Sequence, residues 1–205
     1  MNFEGFAQND FDTFKIEGLA ERMEAIQERI QPKFRTIGEP LTEDLAMMLG
    51  NEMHLHIARH ARRTVNPPND TWLAICNNKR GYKQHPHFQI GLYDDHLFIW
   101  LAFIYELPNK QKIASTFLDH MDDIVKTVPN DYVVSMDHMK KDKESMEEID
   151  LHAALERFRN VKKAEFLIGR HIASNDPIIK DGQALYEVVK DTFETLLPLY
   201  TLSYK

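Results

Sequence analysis

Residues 97–104, LFIWLAFI, form an uninterrupted apolar run, and they constrain the fold more than any other segment. A strand that is apolar on both faces must be covered on both. Just before it, Phe88, Ile90 and Leu92 alternate with His87, Gln89 and Gly91, the period of a half-buried strand. Tyr93-Asp94-Asp95-His96 between the two reads as a tight hairpin connection. Two earlier strands are expected. In one, Met53, Leu55 and Ile57 alternate with His54, His56 and Ala58. The other, residues 71–76, sets Trp72, Ala74 and Cys76 on one face.

Helices flank this block. Leu19, Met23, Ile26, Ile30, Phe34 and Ile37 recur at helical steps, and Pro32 is expected to kink that helix. Thr42 with Glu43 and Asp44 reads as a second helix start, and Gly50 as its stop. Downstream, the pattern predicts a helix over 110–128, a short strand over 132–136 and a charged loop or frayed helix start over 139–148. A helix marked by Leu151, Leu155 and Phe158 and a strand over 164–168 follow. A last helix over 181–197 has Leu185, Val189, Phe193 and Leu196 facing inward. Consecutive strands without regular βαβ alternation predict an α+β fold. Its sheet is expected to be largely antiparallel, with about five to six strands packed with helices in a single domain over residues 1–205.

A membrane-spanning helix needs about 20 apolar residues, and the run at 97–104 falls far short, so no membrane association is expected. The first dozen residues lack the basic and apolar segments of a secretory signal, and Cys76 is the one cysteine. Together these predict a cytoplasmic protein.

The charge is unevenly distributed. The net charge is −7, yet residues 54–89 hold six of the 25 Lys and Arg, one of the 32 acids and five of the ten His. An acidic chain that gathers cations in one stretch is expected to use them on an anion. The calculated pI of 5.8 argues against a dedicated duplex-DNA binder. A small anionic molecule, a nucleotide or a short single strand is the expected partner.

The cations sit in two turns. Arg59, His60, Arg62 and Arg63 precede Asn66 and two prolines that restrict the loop. Lys79, Arg80, Tyr82 and Lys83 surround Gly81, where backbone can approach a ligand closely. Tyr82 and Trp72 are candidate stacking surfaces, and His60, His85 and His87 candidate proton carriers. Neither a phosphate-loop motif nor a dinucleotide fingerprint is present, and no cofactor is assigned. His54, His56, His85 and His87 would share one face if their strands share a sheet. That supports an alternative reading as a His-ligated metalloprotein, although no carboxylate lies in either motif and no metal ligand is assigned. Another alternative is a non-enzymatic interaction module docking through its basic face. At later strand ends stand Tyr105-Glu106 and Ser135-Met136-Asp137-His138, where a carboxylate beside an imidazole can act as general base or orient it. Asp137 and His138 are sequence neighbours that a strand points opposite ways, so they are no ready-made dyad.

The strings HARRTVNPPNDTW, NKRGYKQHPHFQIGL, SMDH and VKKAEFLIGR, with GLAERMEAIQERIQPKF and IYE, resemble the YktB-like family of low-GC Gram-positive bacteria. The resemblance spans nearly the whole chain. It implies a single-domain α+β protein of unknown function, and brings no substrate, cofactor or catalytic residue.

Overall fold

The computed structural model describes residues 3–205; Met1 and Asn2, which open the stretch read against a secretory signal, lie outside the described residues. A short helix α1 (Gln8–Asp12) precedes α2 (Leu19–Ala25) and α3 (Gln31–Leu49), joined by a π-helical turn at Ile26–Ile30. Strands β1 (His54–Ile57), β2 (Thr71–Cys76), β3 (His87–Leu92) and β4 (His96–Phe103) follow. Next come α4 (Lys110–Asp119), α5 (Met121–Thr127), β5 (Val133–Ser135) and β6 (Glu144–Ser145). The chain ends with α6 (Leu151–Asn160), β7 (Phe166–Ala173) and α7 (Gly182–Leu202).

The strands form one seven-stranded sheet in the order β1-β2-β3-β4-β7-β5-β6. The expected α+β class holds, with more strands than the five to six predicted. The additional one is the two-residue β6, too short to leave a hydrophobic period. Direction follows from the strand ends. Ala58 N–H donates to the Trp72 carbonyl, Tyr93 N–H to His96 and Ser174 N–H to Asp95, each linking the end of one strand to the start of its neighbour. The residue pairings Val133–Ser145 and Val133–Gly169 belong to ladders in which β5 runs antiparallel to both β6 and β7.

Three expectations about helices change. The helix from Leu19 runs on to Leu49 with one π turn immediately before Pro32. Proline donates no hydrogen bond and crowds the carbonyl four residues back, and a widened turn there relieves both. Thr42 does not start a helix, because its hydroxyl donates to the Gly38 carbonyl at 2.7 Å inside α3. Gly50 is the stop, with φ 67°. The helix expected over 110–128 breaks at His120 into α4 and α5.

By internal packing the chain falls into two compact units. The first takes residues up to 75, then 89–99 and 171–190. In it Phe6, Ile26, Ile30, Phe34, Ile37 and Leu41 are buried with Leu73, Ile75, Ile90 and Leu97. Gly38 brings α3 close to the strands, since a Cβ there would stand 2.7 Å from Leu55. The second unit takes residues 76–88, 100–170 and 191–205. Its core includes an aromatic cluster in which the Phe103 ring lies 5.1 Å edge-on from Phe117, with Phe158 and Phe166 beside them. β4 is buried at every position, as a strand apolar on both faces requires.

Candidate functional site

The first basic turn belongs to the first unit. Arg59, Arg62 and Asn66 are exposed and Arg63 is half-buried. His60 holds a left-handed φ of 49°, a conformation that L side chains adopt at a cost. Its ring is fixed by Thr71, with Nε2 3.1 Å from the hydroxyl, and by the buried Trp72, 5.4 Å edge-on. Arg22 reaches the same turn from α2. Its buried guanidinium donates to the carbonyls of Ile16 at 2.8 Å and Pro68 at 2.9 Å. Burial holds its pKa below the usual guanidinium value, and the charge of Arg63 adds to the shift.

The second basic turn belongs to the second unit. Lys79 and Arg80 are exposed, while Tyr82, Lys83 and His85 are half-buried. Gly81, at φ 66°, starts the turn. His87 is fully buried, its Nδ1 2.7 Å from the His85 carbonyl and its ring edge-on to Tyr82. The histidine face therefore divides, with His54 and His56 half-buried in one unit and His85 and His87 in the other. β3 is buried at every position, so the expected polar face of that strand is not solvent-exposed. Cys76 is also buried, and burial pushes its thiol up.

A third constellation lies at strand ends in the second unit. The register pairs Ser135 of β5 with Leu167 of β7, so the turn after β5 lies opposite the residue before β7. That residue is Glu165, only 2% exposed. Its carboxylate accepts the His138 backbone N–H at 2.7 Å and the Tyr105 backbone N–H at 3.4 Å. The His138 ring Nδ1–H donates to it as well, 2.7 and 2.9 Å from its two oxygens. Such a bond fixes the imidazole's orientation. Asp137 turns the chain by accepting the Met139 N–H at 3.0 Å.

The same turn walls a cavity of about 600 Å³. Lys140, Lys143, Arg157 and Lys163 line it, against the carboxylates Asp137, Asp142 and Glu144. Beneath this region Lys110 is buried. Its Nζ donates to the carbonyls of Val161 at 2.6 Å and Ala164 at 2.8 Å and stands 5.2 Å from the Phe158 ring centre. Burial lowers the Lys110 pKa, and the charge of Glu165 opposes that.

Sequence reasoning noticed Asp137 and His138 but not Glu165. The available signal was one acid inside the apolar run 164–168. A charge at a buried strand position needs partners, and those come from segments about 27 and 60 residues away, as the hydrogen bonds record.

A family described as a domain of unknown function (DUF1054) matches residues 6–200. The chain is similar to a UPF0637 protein of Oceanobacillus iheyensis, 64% identical over 199 residues, covering 97% of this chain and 96% of that protein. A UPF0637 protein of Shouchella clausii is 61% identical over 203 residues, 99% of this chain and 96% of its own length. One from Listeria monocytogenes is 49% identical over 203 residues, 99% of each chain.

Proposed function

We propose that this chain, which belongs to the family described as a domain of unknown function (DUF1054), binds a small phosphorylated metabolite or nucleotide in the cavity at the end of β5. One observation carries the reading: four cationic side chains meet three carboxylates around a single hollow, in a chain whose net charge is −7. The local balance favours an anion where the molecule as a whole repels one. A volume of about 600 Å³ suits a ligand of nucleotide size. Arg157 offers a planar fork for phosphate, and the lysines offer mobile point charges. Lys140 stands 3.8 Å from Asp137, a loose exposed pair that an incoming phosphate can outcompete.

The test is thermal shift and calorimetry with inorganic phosphate, pyrophosphate, AMP and a sugar phosphate. The exposed variant pair Lys140→Ala with Lys163→Ala removes two charges without touching the core. Ligand at 100 times its Kd should stabilise the native protein by about 2.7 kcal/mol, and the double variant should lose most of that. No stabilisation by any of these anions at millimolar concentration refutes the reading.

The exposed Arg59 and Arg62 support a second reading, docking of an acidic protein partner. The loop that carries them is held by His60 on Thr71 and Trp72, which lowers the entropy lost on docking. Salt-sensitive association that Arg59→Ala and Arg62→Ala abolish would distinguish it from ligand binding in the cavity.

A further inference from the structure

We infer that Asp137, His138 and Glu165 form a site for a divalent first-row transition ion, of the Mn²⁺ or Zn²⁺ class, in the wall of the cationic cavity. Each residue offers one ligand atom, and the three atoms lie within 4.8 Å of one another. With metal–ligand bonds near 2.1 Å, neighbouring donors in a coordination shell stand about 3–3.5 Å apart. His138 Nδ1 is already 2.7 and 2.9 Å from the Glu165 oxygens. An ion entering here needs the pair to open only slightly, with the imidazole proton moving from Nδ1 to Nε2.

The donor set selects the ion. One imidazole with two carboxylates suits Mn²⁺, Fe²⁺ or Zn²⁺. Ca²⁺ wants six to eight oxygens and Cu(I) wants sulfur. The scaffold is held in advance. Backbone N–H groups of His138 and Tyr105 grip the Glu165 carboxylate, and the Met139 N–H grips Asp137. Each carboxylate oxygen carries a second lone pair that these bonds do not consume.

The position gives the ion a use. Asp137 belongs both to the donor group and to the cavity wall. A divalent ion there would stand between the protein carboxylates and an anion held by Lys140, Lys143, Arg157 and Lys163, as metal ions bridge phosphates elsewhere. The inference deepens the anion-cavity reading through Asp137, while the donor group stands without it.

The test uses untagged protein stripped with chelator. Mn²⁺ is titrated and followed by electron paramagnetic resonance, and Zn²⁺ by calorimetry, with no phosphate present. One equivalent of Mn²⁺ per chain is expected. Glu165→Gln keeps the size of the side chain but replaces one acceptor oxygen by an amide donor, Asp137→Asn keeps the turn acceptor, and each should weaken Mn²⁺ binding tenfold or more. Bound Mn²⁺ should also broaden the His138 ring signals in the nuclear magnetic resonance spectrum. The Lys140→Ala, Lys163→Ala protein should keep its Mn²⁺ affinity even if its phosphate affinity is lost, which separates the two readings. Absence of binding, or an affinity unchanged by both Glu165→Gln and Asp137→Asn, overturns the metal site. Phosphate binding by metal-free protein would still stand in that case.

Discussion

Lys110→Met tests how the second unit is held at its centre. Lys110 is 7% exposed, and its ammonium satisfies two carbonyls just beyond α6, those of Val161 and Ala164. Those carbonyls belong to the segment that delivers Glu165 to its place before β7. Each charge-assisted hydrogen bond contributes about 1.5–3 kcal/mol, and its loss leaves a carbonyl unsatisfied. Against this, burying an ammonium costs several kcal/mol, part of which methionine recovers by packing on Phe158. The difference should leave the variant about 2–4 kcal/mol less stable. For a protein of this size that is a fall in Tm of roughly 5–15 °C. Urea unfolding and scanning calorimetry measure both quantities. Lys110→Gln, which keeps amide donors without the charge, should lie between wild type and methionine. A methionine variant as stable as wild type would refute the reasoning, because desolvation of the cation would then outweigh the bonds it makes.

Gly91→Ala should cost about 1–3 kcal/mol by overpacking, read from the urea midpoint, because a Cβ at Gly91 would meet the Phe98 ring at 2.1 Å and the Thr71 carbonyl oxygen at 2.7 Å. Asp44→Ala should cost about 1–3 kcal/mol by the same measurement, since Asp44 accepts the Tyr186 hydroxyl at 2.7 Å and pairs with Lys190 at 3.0 Å, tying α3 to α7. Stability should also fall at alkaline pH. Burial first, then hydrogen bonding, raises the Tyr186 and Tyr200 phenols above the ordinary value of 10.0. The unfolded chain therefore ionises first, and their contribution is complete below pH 10 and declines above it. Tyr200→Phe should flatten that decline in a pH series of melting temperatures.

The sheet was legible where local pattern and tertiary burial agree. Residues 97–104 have one physical solution, and β4 takes it. Period-two alternation placed β3 correctly but misjudged its environment, because a polar side chain such as His87 can be buried when a carbonyl accepts from it. Thr42 misled for the opposite reason. A hydroxyl that caps a helix can also bond four residues back inside one, and nothing in the residues around it distinguishes the two. β6 has no sequence signal because pairing with β5, rather than side-chain preference, makes it a strand.

The charge pattern drew attention to residues 54–89, where cations are dense along the chain. Chain density differs from density in space. The two basic turns fall into different compact units, whereas the cavity cations, Lys140 and Lys143 after β5, Arg157 on α6 and Lys163 before β7, stand along the chain among Asp142, Glu144, Glu147, Glu148, Asp150 and Glu156, so no local excess of charge marks them. They meet because β5 and β7 pair antiparallel, so the exit of one strand faces the entrance of the other. The same register places Glu165 against His138. One long-range pairing thus builds both the cationic wall and the carboxylate–imidazole group. A change that slips the register by one residue would turn Glu165 to the other face of the sheet and should remove anion and metal binding together. The Lys140→Ala, Lys163→Ala pair, which leaves the donor group intact, should remove anion binding alone.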